Sequence, residues 1–313
     1  MDFLDRIDQE IRPILESPLV PELNFDVGIE RVRAAIAKQR ASLVEPEIPE
    51  VKTRDVHAPG YVEGDPAVTL RIYEPETRSV DPVLFWIHGG GMVVGAYDES
   101  DYLCKIWAKK FGCVVTSVEY RLAPEHPYPA PLHDCYAALR WVHGEMAAPI
   151  VVAGASAGGG LAAGTVLLAR DAAEVPVRAQ ILFYPMIDDR DDTQSCVEMT
   201  YEKVWNRKAN RYGWASYLGE LSGTDDVPIY AAPARATVDQ LRGLPPAFID
   251  VGELDAFRDE DIAYAQKLMQ AGVACELLVT PGAFHGSEQY NLKAPTSQRI
   301  NAARFAAIGR ALS

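Results

Sequence analysis

One pentapeptide, Gly154-Ala155-Ser156-Ala157-Gly158, constrains the fold of this chain more than any other stretch. It follows the apolar residues 149–153, which predict a buried parallel strand, and it precedes residues 161–172, whose alanines and leucines favour a helix. A serine at such a sharp strand-to-helix turn is forced into a strained backbone conformation, and the flanking glycines avoid clashes with neighbouring backbone. The stretch therefore predicts a nucleophile elbow, with amides at the helix N-terminus facing a developing oxyanion.

Two other interpretations of the pentapeptide remain open at this point. A turn made of small residues can simply pack a helix against a sheet. A dinucleotide-binding loop is the poorer rival, because its glycine pattern needs glycine at position 156, where serine stands. The rest of the chain decides between them.

Strands and helices alternate along most of the chain. Residues 51–61 and 68–73 predict antiparallel edge strands, and the uniformly apolar residues 83–87 predict a central strand. Further strands are expected at residues 113–118, 179–183, 246–251 and 275–279, and helices at residues 99–111, 132–143, 259–271 and 295–311. This alternation predicts an α/β fold with a doubly wound, mostly parallel central sheet.

Two segments lie outside the alternation. Residues 2–16 and about 24–43 predict amphipathic helices, the second with Asn24 as its N-cap, and residues 188–244 form a polar and aromatic insertion. We expect residues 1–48 and 188–244 to form a helical cap over the carboxyl ends of the strands. Residues 49–187 and 245–313 then form the catalytic core, and the whole chain is one structural unit.

The charge and the cysteines exclude several classes of protein. A formal net charge of −14 argues against nucleic acid or an anionic membrane surface as a partner. The five cysteines are scattered and include no C-x-x-C pair, which favours neither a disulfide framework nor a zinc site. The first residues lack the apolar region of a signal peptide and no run reaches transmembrane length, so we expect a cytoplasmic protein without stable membrane association.

A serine hydroxyl becomes an effective nucleophile only when a base takes its proton and an acid orients that base. At such an elbow the chain order is serine, acid, histidine. His285 is the only histidine after Ser156, and it follows the last predicted strand. Asp255 follows the preceding strand and is the expected acid, with Glu253 as its main rival. The more distant rivals lie within that strand or in the next helix: Asp250, Asp259, Glu260 and Asp261.

The negative charge of an acyl-transfer intermediate needs amide donors that are already in place. The residue after the nucleophile, Ala157, supplies one, and the glycines of His88-Gly89-Gly90-Gly91, directly after a central strand, are expected to supply the others. A glycine-rich turn without this role is the alternative.

Six motifs in this order resemble the hormone-sensitive-lipase-like esterases of bacteria, which have an α/β-hydrolase fold. They are His88–Gly91, residues 120–130 (Tyr-Arg-Leu-Ala-Pro-Glu-His-Pro-Tyr-Pro-Ala), the pentapeptide at residues 154–158, residues 184–188, residues 253–255 and residues 284–286. The resemblance implies a helical cap and the hydrolysis of short- to medium-chain carboxylic esters, small-molecule substrates, without a cofactor or metal. It assigns Ser156 as nucleophile, His285 as base and Asp255 as acid. It assigns the amides of Gly90, Gly91 and Ala157 as oxyanion donors and Gly89 as the residue that shapes the turn.

Two residues depart from the family's pattern. Ala155 stands where many relatives carry Asp or Thr, and Met92 follows the glycines where an aromatic residue is common. Met92, Trp205, Trp214 and Tyr217 are candidates for the substrate pocket, although aromatic residues at helical spacing also serve as packing within a cap. Many relatives dimerise, so the resemblance allows a homodimer.

Two other functions fit parts of the sequence. The same residues cleave amides when the pocket protonates the poorer leaving group, which makes an amidase or N-acetyl hydrolase the alternative enzyme. Ligand-binding receptors also occur on this fold, but they typically lack the catalytic histidine, which is present here as His285.

Overall fold

The computed structural model of the protein describes residues 3–17, 20, 22–41 and 45–313. These residues form an eight-stranded sheet in the order β1-β2-β4-β3-β5-β6-β7-β8. The strands β1 and β2 are antiparallel to their neighbours, and all the other pairs are parallel. The strands are β1 (Val51–Ala58), β2 (Val68–Pro75), β3 (Val83–Ile87), β4 (Val114–Val118), β5 (Ile150–Ala155), β6 (Val177–Phe183), β7 (Ala247–Leu254) and β8 (Cys275–Phe284). The predicted α/β fold with a mostly parallel sheet is confirmed.

Helices cover both faces of the sheet. The α-helices of the described residues are α1 (Phe3–Arg6), α2 (Arg12–Glu16), α3 (Ile29–Ala41), α4 (Asp101–Phe111), α5 (Ala130–Met146), α6 (Ala157–Ala172), α7 (Gln194–Glu198), α8 (Arg207–Leu218), α9 (Arg258–Gln270) and α10 (Pro295–Leu312). Short 3₁₀-helices lie at Phe25–Val27, Gly219–Leu221, Pro233–Arg235, Asp239–Leu241 and Ser287–Gln289. In the described parts of the chain, no helix combines the length and the apolar character needed to cross a bilayer.

Two apolar cores separate the helices from the sheet. One lies on the side of α5, α6 and α9, and the other on the side of α4 and α10. Residues of β3 are buried on both faces, as expected for a central parallel strand. The small residues at the start of α6 let this helix approach the sheet closely, since a Cβ at Gly158 would lie 2.2 Å from the carbonyl oxygen of Ile87.

The predicted N-terminal helices were longer than those in the structure. The apolar pattern over residues 2–16 is divided into α1 and α2, because the amide of Asp8 donates to the carbonyl of Gly282 in β8. In the second segment Asn24 caps the 3₁₀-turn by accepting from the amide of Asp26, and Gly28 (φ 95°) separates this turn from α3. The predicted end of this helix near Leu43 lies outside the described residues.

Strands β7 and β8 both extend further than predicted. Beyond a register shift between Gly252 and Leu254 the two strands pair again, with Leu254 opposite Phe284. The predicted strand ends at residue 279, but β8 continues through Pro281 and Gly282, because an edge strand tolerates a proline where one side of its backbone has no partner strand. As a result Asp255 and His285 are each the first residue after a strand.

Candidate active site

Four loops meet where parallel strands end at the same edge of the sheet. Ser156 follows β5, and His88 follows the adjacent strand β3. Asp255 and His285 follow the neighbouring strands β7 and β8. The carboxyl edge of an open parallel sheet is the usual place for a ligand site in this class of fold.

Ser156 has the backbone conformation expected of an elbow. Its φ of 57° and ψ of −124° are rare for a residue with a side chain. The amide of Ser156 donates to the carbonyl of Phe183 at 2.9 Å, and its carbonyl accepts from the amide of Met186 at 2.9 Å. A Cβ at Gly154 would lie 2.1 Å from the carbonyl oxygen of Gly158, so a side chain there would force the turn open.

Two hydrogen bonds connect Ser156, His285 and Asp255. The Nε2 atom of His285 lies 2.9 Å from Oγ of Ser156, and Nδ1 lies 2.8 Å from Oδ2 of Asp255. The second oxygen of Asp255 accepts from the amide of Phe257 at 3.0 Å, which orients the carboxylate. The Asp255 side chain is fully buried, whereas that of His285 is 12% exposed. The structure therefore brings together the three residues that the sequence singled out, in an arrangement that can move a proton from the serine to the imidazole.

Glu253, the main rival acid, makes no hydrogen bond to His285 among the described residues. Its carboxylate pairs with Arg6 at 2.8 Å and accepts from the amide of Gly282 at 3.1 Å. The hydrogen bond from Arg6, helped by the Gly282 amide, lowers the pKa of Glu253. This residue connects the N-terminal segment to the ends of strands β7 and β8, which directly precede Asp255 and His285.

The other four carboxyl groups considered for the role of acid either bind groups other than His285 or have no hydrogen-bond partner among the described residues. Asp250 pairs with Arg304, and burial raises the pKa of Asp250 to about 6. Glu260 accepts hydrogen bonds from the amides of residues 187 and 188, and Asp259 pairs with Arg258.

Asp261 differs from these three, because its carboxyl is buried without a hydrogen-bond partner among the described residues. Burial raises the pKa of Asp261 well above its usual range, which favours its neutral form.

The glycine loop after β3 lies directly beside the serine. A Cβ at Gly89 would lie 3.3 Å from Cβ of Ser156, and Gly90 and Gly91 have φ values of 116° and 60°. Within the described part of the chain no acceptor pairs with the amides of Gly90, Gly91 or Ala157. Free amides beside a buried hydroxyl form a site that can hold negative charge on a bound oxygen.

His88 holds the first turn of this loop. Its ring is buried, its Nδ1 lies 2.8 Å from the carbonyl oxygen of Gly89, and it stacks on Tyr120 with 4.2 Å between ring centroids. The Tyr120 hydroxyl donates to the carbonyl of His88 at 3.0 Å. Burial lowers the pKa of His88 to about 4, so the ring is neutral near pH 7 and Nδ1–H donates to Gly89.

Of the four candidate pocket residues, Trp205 is the one that ring contacts connect to the site. Its ring lies 6.3 Å from that of His285, and a Cβ at Gly91 would lie 2.2 Å from its Cη2 atom. Met92 is buried at φ 64° directly after the glycines, and its carbonyl accepts from the amide of Ala123. Trp214 and Tyr217 pack against each other, and no ring contact joins either of them to His285 among the described residues.

Several residues around His285 were not anticipated from the sequence. Tyr184 and Phe257 pack on the imidazole at centroid distances of 4.6 and 5.0 Å. Arg304 of α10 is buried and pairs with both Asp250 and Glu288, which lies in the loop after His285. The sequence does contain one signal for the burial of Arg304. It lies four residues from both Ile300 and Ile308 and therefore shares their apolar helix face.

The described residues contain no group of three or more His, Cys, Asp or Glu side chains arranged to hold a metal ion.

Comparison with known proteins places the chain in a family. A family model described as alpha/beta hydrolase fold matches residues 84–289. Carboxylesterase NlhH of Mycobacterium tuberculosis is 37% identical over 314 residues, covering 97% of each chain. Esterase LipI of the same organism is 38% identical over 307 residues, covering 93% of this chain and 92% of LipI.

A solved structure described as a bacterial heroin esterase superposes with a TM-score of 0.93 at 42% identity, covering 100% of both chains. The chain therefore belongs to the alpha/beta hydrolase fold family and, within it, to the hormone-sensitive-lipase-like group that its motifs predicted.

Proposed function

We propose that the protein is a serine carboxylesterase that hydrolyses short- to medium-chain carboxylic esters through an acyl-enzyme. The observation that carries the proposal is the continuous hydrogen-bonded path from Ser156 through His285 to Asp255 beside three free amides. Relatives that cover almost the whole chain, named carboxylesterase and esterase, support the same class of reaction.

The proposed reaction has two halves. In the first, Nε2 of His285 takes the proton of Ser156, the serine oxygen attacks the ester carbonyl, and His285 returns the proton to the departing alcohol. Asp255 keeps the proton of the imidazole on Nδ1, so that Nε2 is free to act as the base. In the second half a water molecule takes the place of the serine hydroxyl and releases the acid. The amides of Gly90, Gly91 and Ala157 stabilise the oxyanion in both halves, and Gly89 shapes the turn.

We further propose that residues 1–48 and 188–244 act as a cap on a core of residues 49–187 and 245–313. Phe3 stacks on Tyr201 at 5.0 Å, and Phe25 stacks on Tyr212 at 4.7 Å, so the two cap segments pack on each other. Trp205, which is part of the same packing through Phe25, reaches Gly91 and His285. These contacts support Trp205 as a wall of the acyl or alcohol pocket.

The function is tested by covalent labelling. We expect a fluorophosphonate to form one adduct, on Ser156, and to abolish hydrolysis of p-nitrophenyl acetate in step with labelling. Intact mass and peptide mapping locate the adduct. Ester hydrolysis that persists after full labelling, or an adduct on another residue, would rule out Ser156 as the nucleophile.

Matched substrates then define the reaction. We expect p-nitrophenyl esters to be cleaved much faster than the corresponding p-nitroanilides, and rates to fall for long acyl chains. Equal or higher rates on the anilides would favour the amidase, and failure to turn over either substrate would favour a binding protein.

The oxyanion loop gives a prediction of its own. In Gly91→Ala the new methyl group would meet the indole of Trp205 at 2.2 Å and would sit at a φ of 60°, so the loop must move. Because one displaced amide donor costs about 10²-fold in turnover, we expect kcat on p-nitrophenyl acetate to fall by about that factor.

Gly144→Ala is the matched control for this substitution. Gly144 lies in helix α5 and a Cβ there would meet nothing within 4 Å. We expect wild-type kcat and an unchanged or slightly higher melting temperature. Equal kcat values for the two variants would contradict a role for the loop in catalysis.

A further inference from the structure

Tyr184 is held in a backbone conformation that tyrosine rarely adopts. Its φ is 34°, its side chain is buried, and its amide donates to the carbonyl of Asp250 at 2.6 Å. A bulky residue keeps such a conformation only where the surrounding contacts hold it there, and strain of this kind concentrates at functional sites. The position of this side chain is therefore strongly determined by its neighbours.

The ring of Tyr184 contacts both a cation and the candidate base. One contact is with the imidazole of His285, at 4.6 Å between centroids and an angle of 62° between ring planes. The guanidinium of Arg304 lies 4.9 Å from the centre of the same ring. An aromatic ring attracts both a cation and the edge of a neighbouring ring, so both contacts favour the observed placement.

The hydroxyl of Tyr184 is anchored by a buried charged network. It donates to Oε1 of Glu288 at 2.8 Å, and Arg304 donates to the same oxygen at 2.7 Å. Two further nitrogens of Arg304 donate to Oδ2 of Asp250 at 3.0 and 2.8 Å. Although burial opposes ionisation, the adjacent Arg304 lowers the pKa of Glu288, which makes this carboxylate a charged and therefore strong acceptor.

This network connects the two strand ends that carry the acid and the base. Glu288 lies three residues after His285, and Asp250 lies five residues before Asp255. Arg304 therefore joins the loop after β8 to strand β7, and Tyr184 is hydrogen-bonded to Glu288 and contacts the imidazole ring of His285.

We propose that Tyr184 is a positioning residue for His285, anchored by Glu288 and Arg304, which holds the imidazole with Nε2 toward Ser156 and Nδ1 toward Asp255. With only its two hydrogen bonds, the imidazole of His285 could tilt. The contact with the ring of Tyr184 blocks this tilt on one side of the imidazole. The proposal rests on the proposed function, since it assumes that His285 is the catalytic base.

The test removes one atom. Tyr184→Phe keeps the ring and deletes the hydroxyl that donates to Glu288. We expect kcat on p-nitrophenyl butyrate to fall about 10-fold with KM within about twofold of wild type, because small misplacements of a catalytic group lower turnover strongly. The rate of fluorophosphonate labelling at Ser156 should fall in parallel. The proton resonance of the His285 Nδ1–H bond to Asp255 should also shift or broaden.

Tyr264→Phe is the control. Tyr264 is a buried tyrosine of α9 whose hydroxyl has no hydrogen-bond partner among the described residues. We expect this variant to match wild type in kcat, labelling rate and proton spectrum. All measurements are made well below the melting temperatures of both variants, so that lost stability is not read as lost activity.

The outcomes separate this proposal from the proposed function. If wild type is labelled at Ser156 but Tyr184→Phe has the same kcat and labelling rate as Tyr264→Phe, the positioning role is overturned and the esterase assignment stands. If wild type hydrolyses esters without labelling at Ser156, both proposals fall. Should Tyr184→Phe not fold, Glu288→Gln is used instead, because a neutral amide oxygen accepts the hydrogen bond of the Tyr184 hydroxyl more weakly than a carboxylate does. Wild-type kcat in that variant overturns the positioning role.

Discussion

Ser156→Ala is expected to lower kcat for p-nitrophenyl ester hydrolysis by about 10⁵-fold or more, because Ser156 is the only nucleophilic side chain among the described residues that is hydrogen-bonded to His285. The remaining rate should reflect the oxyanion amides and substrate binding alone. The alanine side chain fits the space that Ser156 occupies, and within the described part of the chain the hydroxyl's hydrogen bond with His285 is the one that is lost. The melting temperature should therefore stay close to that of wild type. Steady-state kinetics and thermal unfolding measure both quantities.

Ser297→Ala is the matched control for this substitution. Ser297 is a fully buried serine of α10 whose hydroxyl has no hydrogen-bond partner among the described residues. We expect this variant to keep wild-type kcat. A Ser156→Ala protein that is folded and as active as the Ser297→Ala protein would refute the acyl-enzyme mechanism.

Asp255→Asn is expected to lower kcat by about 10⁴-fold, the size of effect found when an amide replaces the carboxylate of such a triad. An asparagine at this position can donate to Nδ1 of His285, which places the imidazole proton on Nε2, where the base must be free. A carboxylate at 2.8 Å also stabilises the imidazolium that forms during attack, and a neutral amide does so much less. The measurement is kcat over a range of pH.

Glu253→Gln provides the comparison, because Glu253 was the main rival for the role of acid. Its carboxylate faces Arg6 and the amide of Gly282, so we expect kcat within about twofold of wild type, and this partly exposed ion pair contributes little to stability. If Glu253→Gln lost activity while Asp255→Asn kept it, the assignment of the acid would be reversed.

The sequence predicts those parts of the candidate site that have a local motif and that directly follow a predicted parallel strand. The elbow, the glycine loop and the histidine each follow a strand whose apolar run is visible in the sequence. Because parallel strands end at one edge of a sheet, the loops after β3, β5, β7 and β8 are expected at the same edge. The order of the strands, which brings these loops close together, is seen only in the structure.

Choosing between two nearby acids required contacts that no local pattern encodes. Glu253 and Asp255 stand two residues apart at the end of β7, and what separates them is the position of Arg6, almost 250 residues away in the chain. The first predicted helix is divided for the same reason, because a carbonyl of β8 accepts a hydrogen bond from the amide of Asp8. Tertiary contacts override helical periodicity in such segments.

The buried network behind His285 was missed for a different reason. An arginine on an amphipathic helix is normally expected on its solvent face, whereas Arg304 of α10 is buried. Its place on the same face as Ile300 and Ile308 indicates burial, and a buried arginine requires carboxylate partners. The sequence alone does not show which of many acids those partners are.

The position of Arg304 has a consequence for how activity develops as the chain folds. Because α10 joins the segments that carry Asp255 and His285, a refolding molecule should acquire native secondary structure before it can turn over an ester. Enzymatic activity would then report the docking of this C-terminal helix, whereas circular dichroism reports only that the helix has formed. The same reasoning predicts that a nascent polypeptide is inactive as an esterase until the residues of α10 have left the ribosome.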